Sequence, residues 1–222
     1  MPPLPLCGFS NALLTLSLGA LAALMLPAGA RGAEPRIPGV ESFIKVPMTR
    51  QATDHTCGTA ALQSVLFFNG KETREDLLAK LLGTTEADGT EPRNILRYVN
   101  EVLAGEGFKA VAKEDMSIGD LRASIDAGVP VIVVIQAWAD DPKVDWAKEW
   151  DCGHYVVAVG YDDSNIYFMD PSTLGHYAYI PVDEFLTRWH DGDAKATFQH
   201  FGITVTRAEA PAYDRETVER LR

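Results

Sequence analysis

The chain has 222 residues, 46% of them hydrophobic and 23% charged, a balance that fits one globular domain plus a short extra segment. Its formal charge is −11 and no window clusters Lys and Arg, which argues against a nucleic-acid or anionic-lipid partner. The three cysteines, Cys7, Cys57 and Cys152, are too few and too unevenly spaced for a disulfide scaffold, so each must be judged alone.

In chain order, an apolar run from Ala12 to Pro27 is followed by the small-residue stretch Ala28-Gly29-Ala30. This pattern predicts a secretory signal peptide over residues 1–30, cleaved after Ala30 or Ala33, and an exported, periplasmic or secreted protein. The segment before the run departs from the usual form in carrying no Lys or Arg. Pro27 and the neighbouring glycines keep the run below the roughly 18 to 20 apolar residues of a membrane span, so no stable membrane association is expected after cleavage. Cys7 lies upstream of the apolar core, the reverse of the order a lipoprotein site requires. Residues 31–42 read as a lead-in and 43–222 as one folded domain, expected to be a monomer.

Helical spacing then appears at Cys57 to Phe68, Arg74 to Leu82, Pro92 to Leu103 and Ser117 to Ala127, each bounded by Gly, Asn or a first-turn proline. From Val129 the pattern changes to dense β-branched runs, predicting strands at 129–135, 154–161, 165–170, 176–180 and 201–205. Asp162-Asp163-Ser164 reads as the turn of a hairpin. Helices first and antiparallel strands after is an α+β order, with an N-terminal helical half packed on a C-terminal sheet.

Candidate chemistry begins with Cys57, which opens a predicted helix. A thiol there meets unpaired backbone N–H groups and the positive end of the helix dipole, both of which favour thiolate. Gly58 adds no side chain beside it, leaving a substrate carbonyl room to approach, and the Cys57 N–H is placed to bind a developing oxyanion. Taken alone, Cys57 reads equally as a small buried hydrophobe. His154 opens an apolar strand and taken alone reads as a satisfied core histidine. Asp170 ends the next strand, just before Pro171, where Asp is a common turn former. A hairpin brings the far ends of its two strands together, however, so the two are expected to be cross-strand neighbours, with Asp170 orienting one imidazole nitrogen and leaving the other for the thiol.

Three segments carry a family likeness: VPMTRQATDHTCGTAALQSVLFFNG at 46–70, AGVPVIVVIQAW at 127–138 and CGHYVVAVGYDDSNIYFMDPS at 152–172. They resemble the bacteriocin-processing, double-glycine-leader branch of the papain-like cysteine peptidases, in a stand-alone exported form. The resemblance implies a papain-like fold and peptide-bond hydrolysis through a thioester on a peptide or protein substrate. It implies Cys57 as nucleophile, His154 as base, Asp170 as its orienter and Gln51 as oxyanion-hole donor. An amide N–H₂ ahead of the nucleophile helix also suits that last role chemically; without it Gln51 would be an exposed loop residue. Acyl transfer to an amine or thiol by the same site, or peptide binding without chemistry, are the alternatives.

The acidic segment AWADDPKVDWAKEWD at 137–151 is longer than most loops of compact domains. Its Trp138, Trp146 and Trp150 either line a substrate groove or cover a sheet edge. His55, two residues before Cys57, reads as a solvated loop side chain. His176, His190 and His200 show no spacing that would hold a metal with Cys57 or Cys152, and neither metal nor cofactor is expected. If the strand is already extended at Cys152, period two puts its sulfur on the face of His154, so that either a Cys57 to Cys152 disulfide can form or Cys152 is a passive residue at the strand entrance.

Overall fold

A computed structural model describes residue 40 and residues 42–173, 175–192, 196–211 and 213–214. The predicted signal peptide and most of the lead-in lie outside these residues. Among the described residues no helix is long and apolar enough to cross a membrane.

After the short strand β1 (Ser42–Phe43), α1 (Cys57–Phe68) forms from Ala- and Leu-rich sequence whose side chains are buried on most of its circumference. Asn69 stops it, turning its side-chain amide back onto the Val65 carbonyl at 2.8 Å, and Gly70 follows at φ 76°. Next come α2 (Glu75–Leu82), closed by left-handed Gly83, and α3 (Pro92–Arg97), which widens into a π turn at Tyr98–Val102. A capping box of Ser117 and Asp120 starts α4 (Ile118–Asp126). All four helices fall where the sequence pattern predicts them.

The first half is not purely helical, which corrects one expectation. Strand β2 (Phe108–Lys113) precedes α4 and pairs with the last strand, and β1 pairs with the central hairpin. The alternation FKAVAK with two lysines is too polar and short to register as a strand in the sequence, as suits an edge strand. Asn100 bonds both the N–H and the C=O of Ala110, at 2.8 and 2.9 Å, from the π turn.

The remaining strands are β3 (Val131–Gln136), β4 (Gly153–Tyr161), β5 (Asn165–Met169) and β6 (Ala178–Pro181). After α5 (Val182–Arg188), which the sequence pattern missed, come β7 (His190–Gly192), β8 (Thr197–Gln199) and β9 (Gly202–Arg207). The main sheet runs β2-β9-β3-β4-β5-β6, antiparallel throughout, while β7 and β8 form a separate ribbon. Strand β3 begins two residues later than predicted, because the Val129 N–H closes α4 onto Ser124 and Pro130 has no N–H to give.

Both sheet faces are covered, which explains the unbroken apolar runs of β3 and β4. On one face Ile132, Val134, Tyr155 and Val157 pack against Leu62, Leu66 and Leu78 of α1 and α2. On the other, Val131, Val133, Val156 and Phe168 pack against Leu121 of α4 and Phe185 of α5. Each fully buried aliphatic side chain contributes about 1.5 to 3 kcal/mol. The hairpin of β4 and β5 turns at Asp162, whose carboxylate accepts the N–H groups of Ser164 and Asn165, both at 2.7 Å.

Candidate active site

Cys57 is the first residue of α1 and is only 9% exposed. Thr56 ahead of it makes no side-chain cap, so the first-turn N–H groups stay unclaimed by a capping oxygen. Burial is the largest influence on the thiol and pushes its pKa up. The hydrogen bond and charge of His154, with the backbone N–H groups of Tyr155 and Gly58, outweigh it and hold the thiol below its ordinary range.

His154 is the second residue of β4, opposite Ile135 of β3, and is 5% exposed. Its Nε2 stands 2.8 Å from Asp170 Oδ1. A carboxylate oxygen can only accept, so Nε2 donates and Nδ1 is left for the sulfur. Burial, again the largest influence, pushes the imidazole down; the hydrogen bonds it donates to Asp170 and then Cys57, and their charges, more than reverse it and raise His154 to about 9. The site therefore favours a thiolate facing an imidazolium.

Asp170 follows Met169, which pairs with Val157, so the carboxylate reaches His154 diagonally instead of straight across. The register shift between Ala158 and Gly160 brings Asp170 one residue nearer to His154 than an unbroken ladder would. Asp170 both meets His154 and forms a turn. Its Oδ1 also accepts the Ser172 N–H at 2.8 Å and its carbonyl accepts the Thr173 N–H at 3.1 Å, so the residue builds the turn that holds it against the imidazole.

The model of the Peptidase_C39 like family matches residues 43–196, a span that contains this whole arrangement. The chain belongs to that family. Uncharacterized proteins of Methanothermobacter marburgensis and Methanothermobacter thermautotrophicus are 29% and 28% identical over 125 and 122 residues, covering 56% and 55% of this chain and 71% and 69% of theirs. Among solved structures, a putative C39-like peptidase from Bacillus anthracis superposes with TM-score 0.56 at 19% identity, covering 76% of this chain and 98% of that one. The peptidase domain of Streptococcus ComA, a bi-functional ABC transporter, gives 0.54 at 19%, covering 74% and 98%. A double glycine motif protease from an AMS/PCAT transporter, in complex with its leader peptide, gives 0.50 at 19%, covering 76% and 96%. The fold is that of C39 peptidase domains, α+β with an antiparallel sheet.

Within this C39-like domain the other predicted residues sort unevenly. Gln51 is tied to the loop after Asp170: its N–H donates to the Pro171 carbonyl at 3.1 Å and its Oε1 accepts the Ser172 hydroxyl at 2.9 Å. Its Nε2 donates to the Thr53 carbonyl at 2.8 Å, using one of two protons. Gly58 does not open a path for substrate, which corrects that expectation. It is buried, and a Cβ there would meet Thr90 Cβ at 2.8 Å and the Tyr155 ring at 3.0 Å, so glycine is a packing requirement of α1 against β4.

The three tryptophans part company. Trp138 stands edge to face with His154, ring centroids 6.5 Å apart, with its backbone at φ 65°. It and Trp146 line a cavity of about 570 Å³, floored by Ile135, Val156 and Phe168 and rimmed by Asp170. Arg188 of α5 lies over the Trp146 ring at 3.6 Å. Trp150 instead packs on His190 at 4.3 Å and does not line the cavity, a correction to its grouping with the other two.

His55 sits in the loop against Asp54, at 3.1 Å, as a loop side chain does. Cys57 and Cys152 are both free thiols in this structure. No group of three or more His, Cys, Asp or Glu side chains is placed to hold a metal among the described residues. Tyr155 and Gln136 escaped the sequence reading. Tyr155 is buried behind the nucleophile with its hydroxyl on the Thr90 carbonyl at 2.8 Å, and its place beside His154 was the available signal.

Proposed function

We propose that the protein is an exported cysteine peptidase that hydrolyses peptide bonds through a thioester on Cys57. The observation that carries this reading is the buried chain Cys57, His154, Asp170, with its 2.8 Å hydrogen bond and opposed pKa shifts. The thiolate attacks the scissile carbonyl carbon. The carbonyl oxygen becomes an oxyanion, bound by the Cys57 N–H and the free proton of the Gln51 amide. His154 then gives its proton to the leaving amine as the C–N bond breaks. A water, deprotonated by His154, attacks the thioester carbon; the C–S bond breaks, which releases the acid product and restores the Cys57 thiolate beside the protonated imidazole. Asp170 stabilises the imidazolium and keeps its orientation.

The cavity between Trp138, Trp146 and Phe168 suits an apolar side chain of the peptide, held close to the imidazole by its shared Asp170 rim. A structural neighbour crystallised with a leader peptide is in keeping with a peptide substrate. The apolar segment 12–27 and its small-residue boundary support the export part of this reading. Incubating the protein, truncated after Ala30, with a peptide library tests the reading: products absent from a Cys57→Ala control are expected. Equal product sets would refute it, and incorporation of added glycine would redirect it to acyl transfer.

A further inference from the structure

His154 stands one rung from the end of β4, where a strand frays and its register is least constrained by the ladder. Its ring must nevertheless hold Asp170 at 2.8 Å while facing Cys57. Backbone pairing ends with Gln136 opposite Gly153, supplemented by the Ala137 N–H on the Cys152 carbonyl at 2.9 Å. Something beyond the ladder is needed to fix that end.

Gln136 is fully buried, at 0% exposure, and its amide is used on both sides. Its Oε1 accepts the Cys152 N–H at 2.9 Å. Its Nε2 donates to the His190 carbonyl at 3.2 Å and to Asp191 Oδ1 at 3.1 Å. The acceptors fix the amide's orientation, since neither could face an oxygen. Asp191 in turn lies against Gly153, where a Cβ would meet both its carboxylate oxygens at 2.6 Å. The side chain thus joins the end of β3, the residues leading into His154, and the β7 ribbon. A buried amide with all these bonds made resists displacement, because each broken bond strands a group out of reach of water.

We propose that Gln136 is a positioning residue, which, through Cys152 and Gly153 and braced by Asp191, sets where the His154 ring stands relative to Cys57. This rests on the reading of Cys57 and His154 as the catalytic pair. A displacement of the order of 1 Å at such a pair costs about 10²-fold.

Alkylation of Cys57 by iodoacetamide reads the pair directly, without a peptide substrate. The full chain is compared as wild type, Gln136→Leu and Gln136→Glu across a pH series, quantifying the Cys57 peptide by mass spectrometry and recording the melting temperature. Folded Gln136→Leu is expected to react about tenfold more slowly near neutral pH, the effect of one pKa unit on thiolate content. Gln136→Glu keeps an acceptor for the Cys152 N–H but sets a carboxylate against Asp191. Its rate relative to wild type is expected to be low at neutral pH and to rise toward one as acid protonates the new carboxyl and restores a donor. A folded Gln136→Leu with the wild-type rate overturns the proposal. Should that variant fail to fold, a Gln136→Glu rate that tracks wild type at every pH overturns it instead. Wild-type Cys57 that reacts as an ordinary thiol and ignores His154→Ala would overturn the catalytic pair itself, and this proposal with it.

Discussion

Cys57 and Cys152 carry the same side chain in two surroundings that drive their thiols in opposite directions. Cys57 is the more deeply buried, and burial alone would keep it protonated, yet its pKa falls below the ordinary thiol range because His154 and two backbone N–H groups stand against the sulfur. Cys152 is half-buried and its pKa is raised, first by that burial and then by the charge and hydrogen bond of Glu149, with Asp151 and Asp140 adding to it. Partners, more than exposure, decide which sulfur is a nucleophile. The acidic loop that keeps Cys152 protonated ends at Asp151, two residues before the strand that carries His154.

The comparison breaks most severely at the pair itself. Cys57→Ala and His154→Ala are each expected to abolish peptide turnover, and Asp170→Asn to lower kcat by about 10² to 10⁴-fold with residual activity. Steady-state kinetics on any cleaved peptide checks this, and turnover that survives His154→Ala but not His55→Ala would move the base to His55. Next in size, Gln51→Ala is expected to lower kcat by about 10² to 10³-fold with little change in KM, since an oxyanion donor acts in the transition state. A change confined to KM would make Gln51 a substrate contact.

The pH profile sharpens the contrast further. Activity is expected to rise as Cys57 ionises at its lowered pKa and to fall through about 9, as His154 loses the proton that the leaving amine needs. The two groups titrate as a coupled pair, so the limbs belong to the pair. A profile that climbs through 9 without a second limb would assign the thiol no imidazolium partner. A smaller effect is predicted for Gly58→Ala, which forces Thr90 and Tyr155 apart and is expected to destabilise by about 1 to 3 kcal/mol in chemical denaturation. The smallest is Cys152→Ser, expected to leave kcat and its pH dependence unchanged, with or without reductant.

Much of this was legible in the sequence, for identifiable reasons. A Cys at the start of an Ala- and Leu-rich period, and a His and an Asp at the two ends of a hairpin, follow from spacings of 3.6 and 2 that hold wherever burial is one-sided or complete. The signal fails where a role depends on long-range packing. Gly58 appeared to be an opening because the sequence does not show Tyr155 and Thr90 closing over it. Trp150 was grouped with Trp138 and Trp146 by composition, whereas His190, forty residues on, draws it elsewhere. Gln136 lies just past the strand predicted at 129–135, and only the fold brings Asp191 to its amide. Helix α5 buries Phe185 alone among its seven residues, too few turns to show a period.

Titrating the Cys57 thiolate by its ultraviolet absorbance, as the difference between wild type and Cys57→Ala, tests the central claim most directly. The account predicts an apparent pKa below the ordinary thiol range in wild type and, in His154→Ala, a rise above it, because the largest remaining influence is then burial. A wild-type thiol that titrates in the ordinary range, unmoved by His154→Ala, would contradict it.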